Sequence, residues 1–341
     1  MKITLKLILF GLLIGTIACG GSKKTIQNTA SVSELKIAFY NIENLFDLED
    51  DPKKFDEDFT PTGKLKWNQE RYLKKLSSLA YVISQLGGDK TAPDILGLCE
   101  VENAAVLKDL VRQQAIKGRD YQFIHYDSPD ERGIDVALLY DARVFQPFHR
   151  QSIRIKLPGK DSTTRDVLFV KGKIGGKDTL TLFVNHWPSR RNPEEMRLIT
   201  ARKVRAVVDS LLNKNSNERI LLMGDLNDEP DNESLQILTQ KNSNQPTRTL
   251  INGMTELKKQ GLGTHEYKKE WNMLDQFVYA PAFQTGNWRV ADGYPQVFKP
   301  DFLQEQDPKY KGSPYRTYVG EKYLGGYSDH FPIQIRFKYQ R

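Results

Sequence analysis

The chain has 341 residues, of which 39% are hydrophobic and 27% are charged, so a disordered or fibrous protein is excluded. That length suffices for one large domain or two small ones. The net charge of +7 falls by two to +5 if Lys2 and Lys6 are cleaved off with a leader peptide. Such a mild positive excess suits a polyanionic substrate but does not require one.

The N-terminal segment has the pattern of a secretory signal. Two lysines precede an apolar stretch, residues 7–17, that is too short to span a bilayer. Residues 16–19, TIAC, resemble a bacterial lipoprotein cleavage box, although threonine replaces the usual aliphatic residue. We expect residues 1–19 to be a signal peptide ending at an acylated Cys19, and residues 20–34 to be a flexible membrane tether. The chain would then be exported, as a periplasmic or outer-membrane-associated lipoprotein. An uncleaved anchor or a plain secreted protein are the alternatives.

Short apolar runs recur through residues 35–341, and each has the length of a strand. They are residues 35–40, 94–99, 121–126, 136–140, 167–170, 180–184, 220–223, 277–279 and 331–337. Residues 167–174 and 179–184, joined by the turn sequence GGKD, are predicted to form a hairpin. Cys99, at the end of one apolar run, is expected to be a small buried hydrophobe, and a disulfide with Cys19 is the weaker alternative.

Two long helices are predicted. In the first, apolar residues recur at helical spacing from Tyr72 to Leu86, and a pair of glycines follows. The second would begin with Asn192 as its cap residue, Pro193 in the first turn and Glu195 three residues after the cap. Many strands with a few long helices predict one α/β domain of packed sheets covered by helices over residues 35–341.

Several apolar runs end beside residues that can bind a metal or hold a phosphate. These residues are Asn41, Glu100, Asp225 with Asn227, and Asp329 with His330. Carboxylate and amide oxygens suit a hard cation such as Mg²⁺, and a histidine beside a carboxylate can move protons. This set therefore predicts phosphodiester hydrolysis on a divalent ion.

Simpler interpretations exist for some of these residues. Asn41 could be a turn former, and residues 225–230 could be a polar turn after an edge strand. Glu100 is harder to explain without a ligand, because a buried carboxylate needs a partner. Asp225 and Asn227, two apart on an extended backbone, are expected to project to the same side. There the carboxylate could deprotonate a water, and the amide could hold that water or a phosphate oxygen.

Two histidines follow or precede strands. His330 needs a partner to orient its imidazole, and Asp275, a lone acid opening an apolar run, is the best candidate. His186 ends the second strand of the predicted hairpin, and Asp135 is the candidate to orient it. Both histidines would then carry an acid–base function.

Arg190 and Arg191 follow His186 closely and could clamp phosphate oxygens. The other histidines, His125, His149 and His265, have no motif around them. A zinc site is disfavoured because the chain has no HExxH sequence and no paired cysteines. A serine nucleophile elbow and a phosphate-binding glycine loop are missing as well.

Taken together, Asn41, Glu100, the sequence GDLN at 224–227, LD at 274–275 and SDH at 328–330 resemble the endonuclease/exonuclease/phosphatase superfamily. The resemblance runs from about residue 36 to residue 338. It implies a four-layer α/β sandwich of two mixed β-sheets flanked by helices, with the active site along one edge of the sheets.

The resemblance also implies a role for each residue. Glu100, with Asn41 and Asp329 nearby, would hold Mg²⁺ or Mn²⁺. Asp225 and Asn227 would position the attacking water, and His330, held by Asp275, would protonate or bind a phosphoryl oxygen. His186 would match the second histidine of the DNase-like branch.

Three functions remain open from the sequence. The favoured one is an exported endonuclease on DNA or RNA, indicated by His186, Arg190, Arg191, the basic balance and the leader. The alternative is a phosphatase or phosphodiesterase on lipid head groups, sphingomyelinase-like, or on inositol phosphates. Gln276 follows Asp275 where inositol-phosphate 5-phosphatases carry arginine, which disfavours that branch. The third hypothesis is a non-catalytic binding lipoprotein. It is disfavoured because all the catalytic and metal-binding residues that the resemblance implies are present.

Overall fold

The structure is a computed structural model that describes residues 32–88, 90–159, 163–240, 248–291 and 295–340. The predicted signal peptide, Cys19 and residues 20–31 of the predicted tether lie outside the described residues. Regular structure begins at Glu34, the last residue assigned to that tether. Within the described ranges, no helix is both long enough and apolar enough to cross a membrane.

The first sheet has the strand order β13-β17-β1-β2-β4-β3, and β14 also pairs with β17. Its strands are β1 (Glu34–Leu45), β2 (Ile95–Val101), β3 (Tyr121–His125), β4 (Asp135–Asp141), β13 (Trp288–Val290), β14 (Gln296–Val297) and β17 (Ile333–Tyr339). β1 and β2 run parallel, while β4 and β17 pair antiparallel with their neighbours. The sheet is therefore mixed.

The second sheet has the order β5-β6-β7-β8-β12-β9 and is mixed as well, because β7 and β8 run parallel. Its strands are β5 (Phe145–Ile153), β6 (Val167–Ile174), β7 (Asp178–His186), β8 (Ile220–Asp225), β9 (Ile251–Asn252) and β12 (Asp275–Tyr279). Two short hairpins, β10 (His265–Tyr267) with β11 (Glu270–Asn272) and β15 (Tyr318–Val319) with β16 (Lys322–Tyr323), lie outside both sheets.

Helices cover both outer faces. The helices are α1 (Gln69–Gln85), α2 (Ala104–Val111), α3 (Glu194–Lys214), α4 (Glu233–Thr239), α5 (Thr255–Lys259) and α6 (Ala282–Thr285). The first four cover the outer faces, while Leu257 of α5 and Phe283 of α6 pack between the sheets. One core joins α1 and α2 to the first sheet, a second lies between the sheets, and a third joins α3 and α4 to the second sheet. The predicted four-layer sandwich of two mixed sheets is confirmed.

Local patterns predicted the central strands of both sheets and the two longest helices, whereas the short strands β9–β11 and β13–β16 and the short helices α4–α6 were not predicted. The predicted hairpin is β6–β7, paired from Leu168 with Val184 to Ile174 with Asp178. The predicted cap at Asn192 is wrong: α3 begins at Glu194 after Pro193, with no side-chain cap bond. Asn192 instead donates its backbone N–H to the carbonyl of Ser189, which closes the turn before the helix.

Strand β5 was not predicted. Its sequence, FQPFHRQSI, is largely polar and contains Pro147, at a register irregularity where proline is tolerated on an edge strand. Cys99 is fully buried with a free thiol, as expected for a small hydrophobe.

Candidate active site

The candidate site lies where strands of the two sheets end together. His186 and Asp275, on β7 and β12, are both register partners of Asp225 on β8, so three adjacent strands deliver three ionisable side chains. The amide of Asn41, on β1, donates to Asp225 Oδ2 at 3.1 Å. That hydrogen bond joins the first sheet to the second at the site.

Strands β1 and β2 both leave regular geometry here. Glu43, Asn44 and Glu100 have φ angles of 49°, 54° and 63°, in the left-handed region that side chains with a Cβ seldom adopt. Such residues cost about 1–3 kcal/mol each unless the surroundings hold them, and they cluster at functional sites. Here Glu43 N–H donates to Asn41 Oδ1 at 3.0 Å, and Asn44 N–H donates to Glu100 Oε2 at 3.0 Å. The two kinks bring an amide and a carboxylate to one place.

Asn41 and Glu100 are candidate metal ligands that the fold does bring together. The amide nitrogen of Asn41 lies 3.5 Å from Glu100 Oε1, and the Glu100 side chain is 13% exposed, so the carboxylate is accessible from solvent. A hard divalent cation would take the Glu100 carboxylate and the amide oxygen of Asn41, and that oxygen also accepts the N–H of Glu43 at 3.0 Å. The third candidate ligand, Asp329, is bound by the guanidinium of Arg316 at 2.9 Å.

Asp225 lies between the two predicted histidines. Its Oδ2 is 3.8 Å from Nε2 of His186 and 3.8 Å from Nε2 of His330. His330 Nδ1 contacts Asp275 Oδ2 at 2.7 Å, so the expected orienting pair is present. All four side chains are buried.

Burial raises the pKa of Asp225 to about 7; His330 opposes this shift, while the Asp275 carboxylate reinforces it. Burial by itself would lower the pKa of His330, but Asp275 and Asp225 raise it well above its ordinary value. Burial, aided by the charge of Arg165, holds the pKa of His186 well below its ordinary value. The site thus has a poised carboxyl group, one protonated histidine and one neutral histidine.

Asn227 does not lie on an extended backbone, so that prediction is wrong. Its φ is 52°, its N–H donates to Asp225 Oδ1 at 2.9 Å, and its side-chain amide donates to the carbonyl of Trp187 at 3.0 Å. The two residues therefore form an Asx-type turn, in which the backbone N–H of Asn227 holds the Asp225 carboxylate. The left-handed conformation of Asn227 keeps it next to Asp225.

Asp135 does not orient His186, so that prediction is also wrong. Asp135 Oδ2 contacts His125 Nε2 at 3.0 Å, and its Oδ1 accepts the N–H of Ser128 at 2.9 Å. His186 Nδ1 is buried without a hydrogen-bond partner in the part of the chain that is described. Arg165 instead holds this strand end by donating from Nε to the His186 carbonyl at 3.2 Å.

The two arginines after His186 differ in their surroundings. Arg190 donates from Nε to the Asn227 carbonyl at 3.0 Å and from Nη1 to Asn272 Oδ1 at 2.6 Å, so much of its guanidinium is used in holding the rim. Arg191 is exposed. Of the two, Arg191 is the freer to meet a substrate.

Sequence reasoning missed several residues at the site. His265 forms a bridge with His330, and the two rings lie 4.9 Å apart. Burial, together with the charge of His330, lowers the pKa of His265 to about 4, so this ring is neutral. Glu43 is 5% exposed and accepts the N–H of Thr317 at 2.6 Å. A left-handed position is not visible in a sequence, and no spacing singled out His265 or Glu43.

Among the described residues, three groups of acids and histidines are close enough to share an ion. They are His265, Asp329 and His330; Asp225, Asp275 and His330; and His125, Asp127 and Asp135. The first two share His330, so they belong to the same site. The third is built around the pair that Asp135 makes with His125, and its Asp127 side chain is 89% exposed.

Residues 36–339 match the Endonuclease/Exonuclease/phosphatase family. No curated protein matches the chain in sequence. Among solved structures, a mannosyl-6-phosphatase of Bacteroides thetaiotaomicron is 17% identical, with a TM-score of 0.57 over 89% of this chain and 100% of that one.

Two further structures are similar. TDP2 of D. rerio, complexed with single strand DNA product, is 14% identical, with a TM-score of 0.56 over 90% of this chain and 100% of that one. The human Nocturnin catalytic domain with bound sulfate is 16% identical, with a TM-score of 0.54 over 90% and 94%. At these identities the likeness is one of fold.

Proposed function

Because the chain belongs to the endonuclease/exonuclease/phosphatase family, whose members are metal-dependent hydrolases of phosphoric esters, we propose that it hydrolyses phosphodiesters. Within that class we propose an endonuclease acting on DNA or RNA. The observation that carries the chemistry is Asp225 Oδ2, 3.8 Å from Nε2 of both His186 and His330. A carboxylate and a protonated imidazole side by side can take one proton and give another.

Asn41 and Glu100, with Asp329 nearby, would hold the divalent ion, Mg²⁺ or Mn²⁺. When bound, the ion supplies positive charge that stabilises the displacement at phosphorus. The kinks at Glu43 and Asn44 hold the Asn41 and Glu100 side chains in place before the substrate arrives. Little reorganisation is then needed at the moment of reaction.

The chain's own groups account for the proton transfers. Asp225 orients the attacking water and takes its proton, which a carboxyl group with a pKa near 7 does efficiently at neutral pH. The water oxygen bonds to phosphorus as the bond to the leaving oxygen breaks. His330, kept protonated by Asp275, gives its Nε2 proton to that leaving oxygen. His186, kept neutral, donates a hydrogen bond to the phosphoryl group.

Nucleic acid is the favoured substrate for three reasons. His186 is present, Arg191 follows it closely in the sequence and is exposed, and the chain is basic. A structural neighbour was solved with a single-strand DNA product, which is compatible with this choice. The second candidate is a phosphodiesterase or phosphatase on lipid head groups or inositol phosphates, favoured by the lipoprotein-like cleavage box.

A parallel assay separates these substrates. Residues 20–341, supplied with Mg²⁺, are tested against plasmid DNA, RNA, sphingomyelin and inositol phosphates. We expect nucleic acid to be cut fastest. Turnover of sphingomyelin or an inositol phosphate without cleavage of nucleic acid would refute the nuclease proposal.

Salt dependence gives a second test. If Arg190 and Arg191 contact a phosphodiester backbone, metal-free binding to a short oligonucleotide should weaken steeply with salt. Replacing both by alanine should reduce the log–log slope by about one to two units, since each neutralised phosphate contributes nearly one. Because Arg190 is held by Asn227 and Asn272, most of the change should come from Arg191. Arg202→Ala, in a surface ion pair with Glu195, serves as the control.

We also propose export and lipid anchoring through Cys19, supported by the sequence of residues 1–22. Labelling cells with a radioactive fatty acid tests this directly. Wild-type protein should take up label in the membrane fraction, and Cys19→Ala should not. Unlabelled wild-type protein would point to a plain secreted protein.

A further inference from the structure

Arg132 lies beside the candidate metal-binding carboxylate, on the turn before β4. Its Nη2 donates to Asn44 Oδ1 at 2.6 Å and lies 3.8 Å from Glu100 Oε2. The same Glu100 oxygen accepts the backbone N–H of Asn44 at 3.0 Å. Asn44, whose left-handed backbone is held by Glu100, thereby fixes the Arg132 guanidinium next to the site.

The turn that carries Arg132 is itself rigid. Arg132 N–H donates to Asp130 Oδ1 at 3.1 Å, and the backbone carbonyl of Asp130 accepts Gly133 N–H at 3.1 Å and Lys54 Nζ at 2.7 Å. Gly133 has a φ of 70°, which suits a residue without a side chain. A group held by such a turn loses little freedom when it binds a ligand.

Other cations near the site are occupied by the protein. Arg165, 7% exposed, donates to the carbonyls of His186 and Trp187. Lys75, 1% exposed, donates to the Thr317 hydroxyl at 2.6 Å and to a backbone carbonyl. Neither side chain can reach a substrate without losing these partners.

Arg316 donates hydrogen bonds from Nε to Glu43 and from Nη2 to Asp329. Arg132 makes one side-chain hydrogen bond among the described residues, that to Asn44, out of the five N–H donors of a guanidinium. Its side chain is 47% exposed and borders a cavity of about 320 Å³ that Ser189 and Asn192 also line. The remaining N–H donors of this half-exposed guanidinium, 3.8 Å from Glu100, are therefore available to a ligand.

A phosphoric ester needs such a group. Glu100, the partly exposed carboxylate beside Arg132, has a negative charge that opposes an incoming anion. A guanidinium suits phosphate because its planar N–H groups match two phosphate oxygens at once. We propose that Arg132 is a substrate-binding residue that binds a non-bridging oxygen of the phosphoryl group. This inference rests on the proposed function and names a binding contact for it.

The competing explanation is that Arg132 only neutralises Glu100. The two roles differ in what they affect: a partner of Glu100 changes metal binding, whereas a phosphate-binding residue changes anion binding. The two bindings can be measured separately, without turnover. Inorganic phosphate is the probe for the anion, and Mn²⁺ is the probe for the metal.

The experiment compares wild type with Arg132→Ala and Arg132→Lys. Arg143→Ala is the matched control, because Arg143 is 59% exposed, binds a carboxylate of Asp141, and follows the opposite end of the same strand β4. Calorimetry measures phosphate affinity on the Mn²⁺-loaded protein and Mn²⁺ affinity without phosphate. Thermal unfolding checks that each variant is folded.

We expect phosphate affinity to fall about 10–100-fold in Arg132→Ala, as for loss of a charge-assisted hydrogen bond, with a smaller loss in Arg132→Lys. Mn²⁺ affinity should stay within about threefold, and Arg143→Ala should resemble wild type. Steady-state hydrolysis of bis(p-nitrophenyl) phosphate should show a raised KM.

Unchanged phosphate affinity in Arg132→Ala would overturn the inference, as would a fall in Mn²⁺ affinity of equal size. A wild-type protein that binds no phosphate at millimolar concentration would overturn it too. Failure of the proposed function looks different: the wild-type protein would bind phosphate through Arg132 but hydrolyse no phosphodiester.

Discussion

The contact between Asp275 and His330 permits a quantitative test of the catalytic assignment. Asp275 is 1% exposed and His330 6% exposed, and Oδ2 and Nδ1 are 2.7 Å apart. A hydrogen bond to a charged group contributes about 1.5–3 kcal/mol. At about 1.4 kcal/mol per decade of rate, Asp275→Asn should lower kcat by roughly 10–150-fold.

The double mutant makes this prediction specific. His330→Ala should lose about 10²–10⁴-fold in kcat, because it removes the proton-transfer group itself. If Asp275 acts only through His330, then adding Asp275→Asn to His330→Ala should cost little more, so the two losses should not multiply.

The assay is kcat on bis(p-nitrophenyl) phosphate at saturating Mg²⁺, with circular dichroism and urea unfolding on each variant. Asp166→Asn is the control, since Asp166 is a buried carboxylate held by Ser152 and Arg154 in the second sheet. Losses that multiply in the double mutant would show that Asp275 acts independently of His330. Folded single variants with wild-type rates would place the chemistry elsewhere.

Three other predictions concern the metal, the base and the fold. Exhaustive EDTA treatment should abolish activity, and added Mg²⁺ or Mn²⁺ should restore it, because the candidate metal ligands are oxygen atoms. Full activity after EDTA treatment would contradict the metal assignment. Asp225→Ala should lose roughly 10²–10⁴-fold in kcat while circular dichroism stays unchanged; a rate like wild type would remove it as the base. Lys75→Met should destabilise by about 1–3 kcal/mol in urea unfolding, because it leaves the Tyr327 carbonyl without the hydrogen bond from Lys75 and removes one of the two cations, Lys75 and Arg316, that compensate the buried Glu43. Lys74→Met, on the exposed face of the same helix, should change stability by about 0.5 kcal/mol or less, and equal losses in the two variants would contradict the role of Lys75.

Local sequence patterns were sufficient for the elements that bury a regular face. The apolar spacing of α1 and the β6–β7 hairpin could be read directly, because each depends on residues within a few positions of one another. Strand β5 could not be read, since it is polar at an edge and is a strand only because β6 pairs with it.

The residue types of the site could also be read from the sequence. Asn41, Glu100, Asp225 and His330 stand out because polar groups at the ends of apolar runs need a reason to be there. The partner of each residue was predicted less reliably than its type. Asp275 was correctly paired with His330, 55 positions away, whereas Asp135 was assigned to the wrong histidine.

Only the tertiary structure decided the partners and the backbone conformations. Asp135 lies in β4, and the antiparallel neighbour β3 carries His125, so strand order sets their contact. The left-handed Asn227 and Glu100 are stabilised by hydrogen bonds to groups far along the chain. Sequence spacing determines which face of a strand a side chain takes, but the strand order and register that place it opposite a partner come from packing the whole domain.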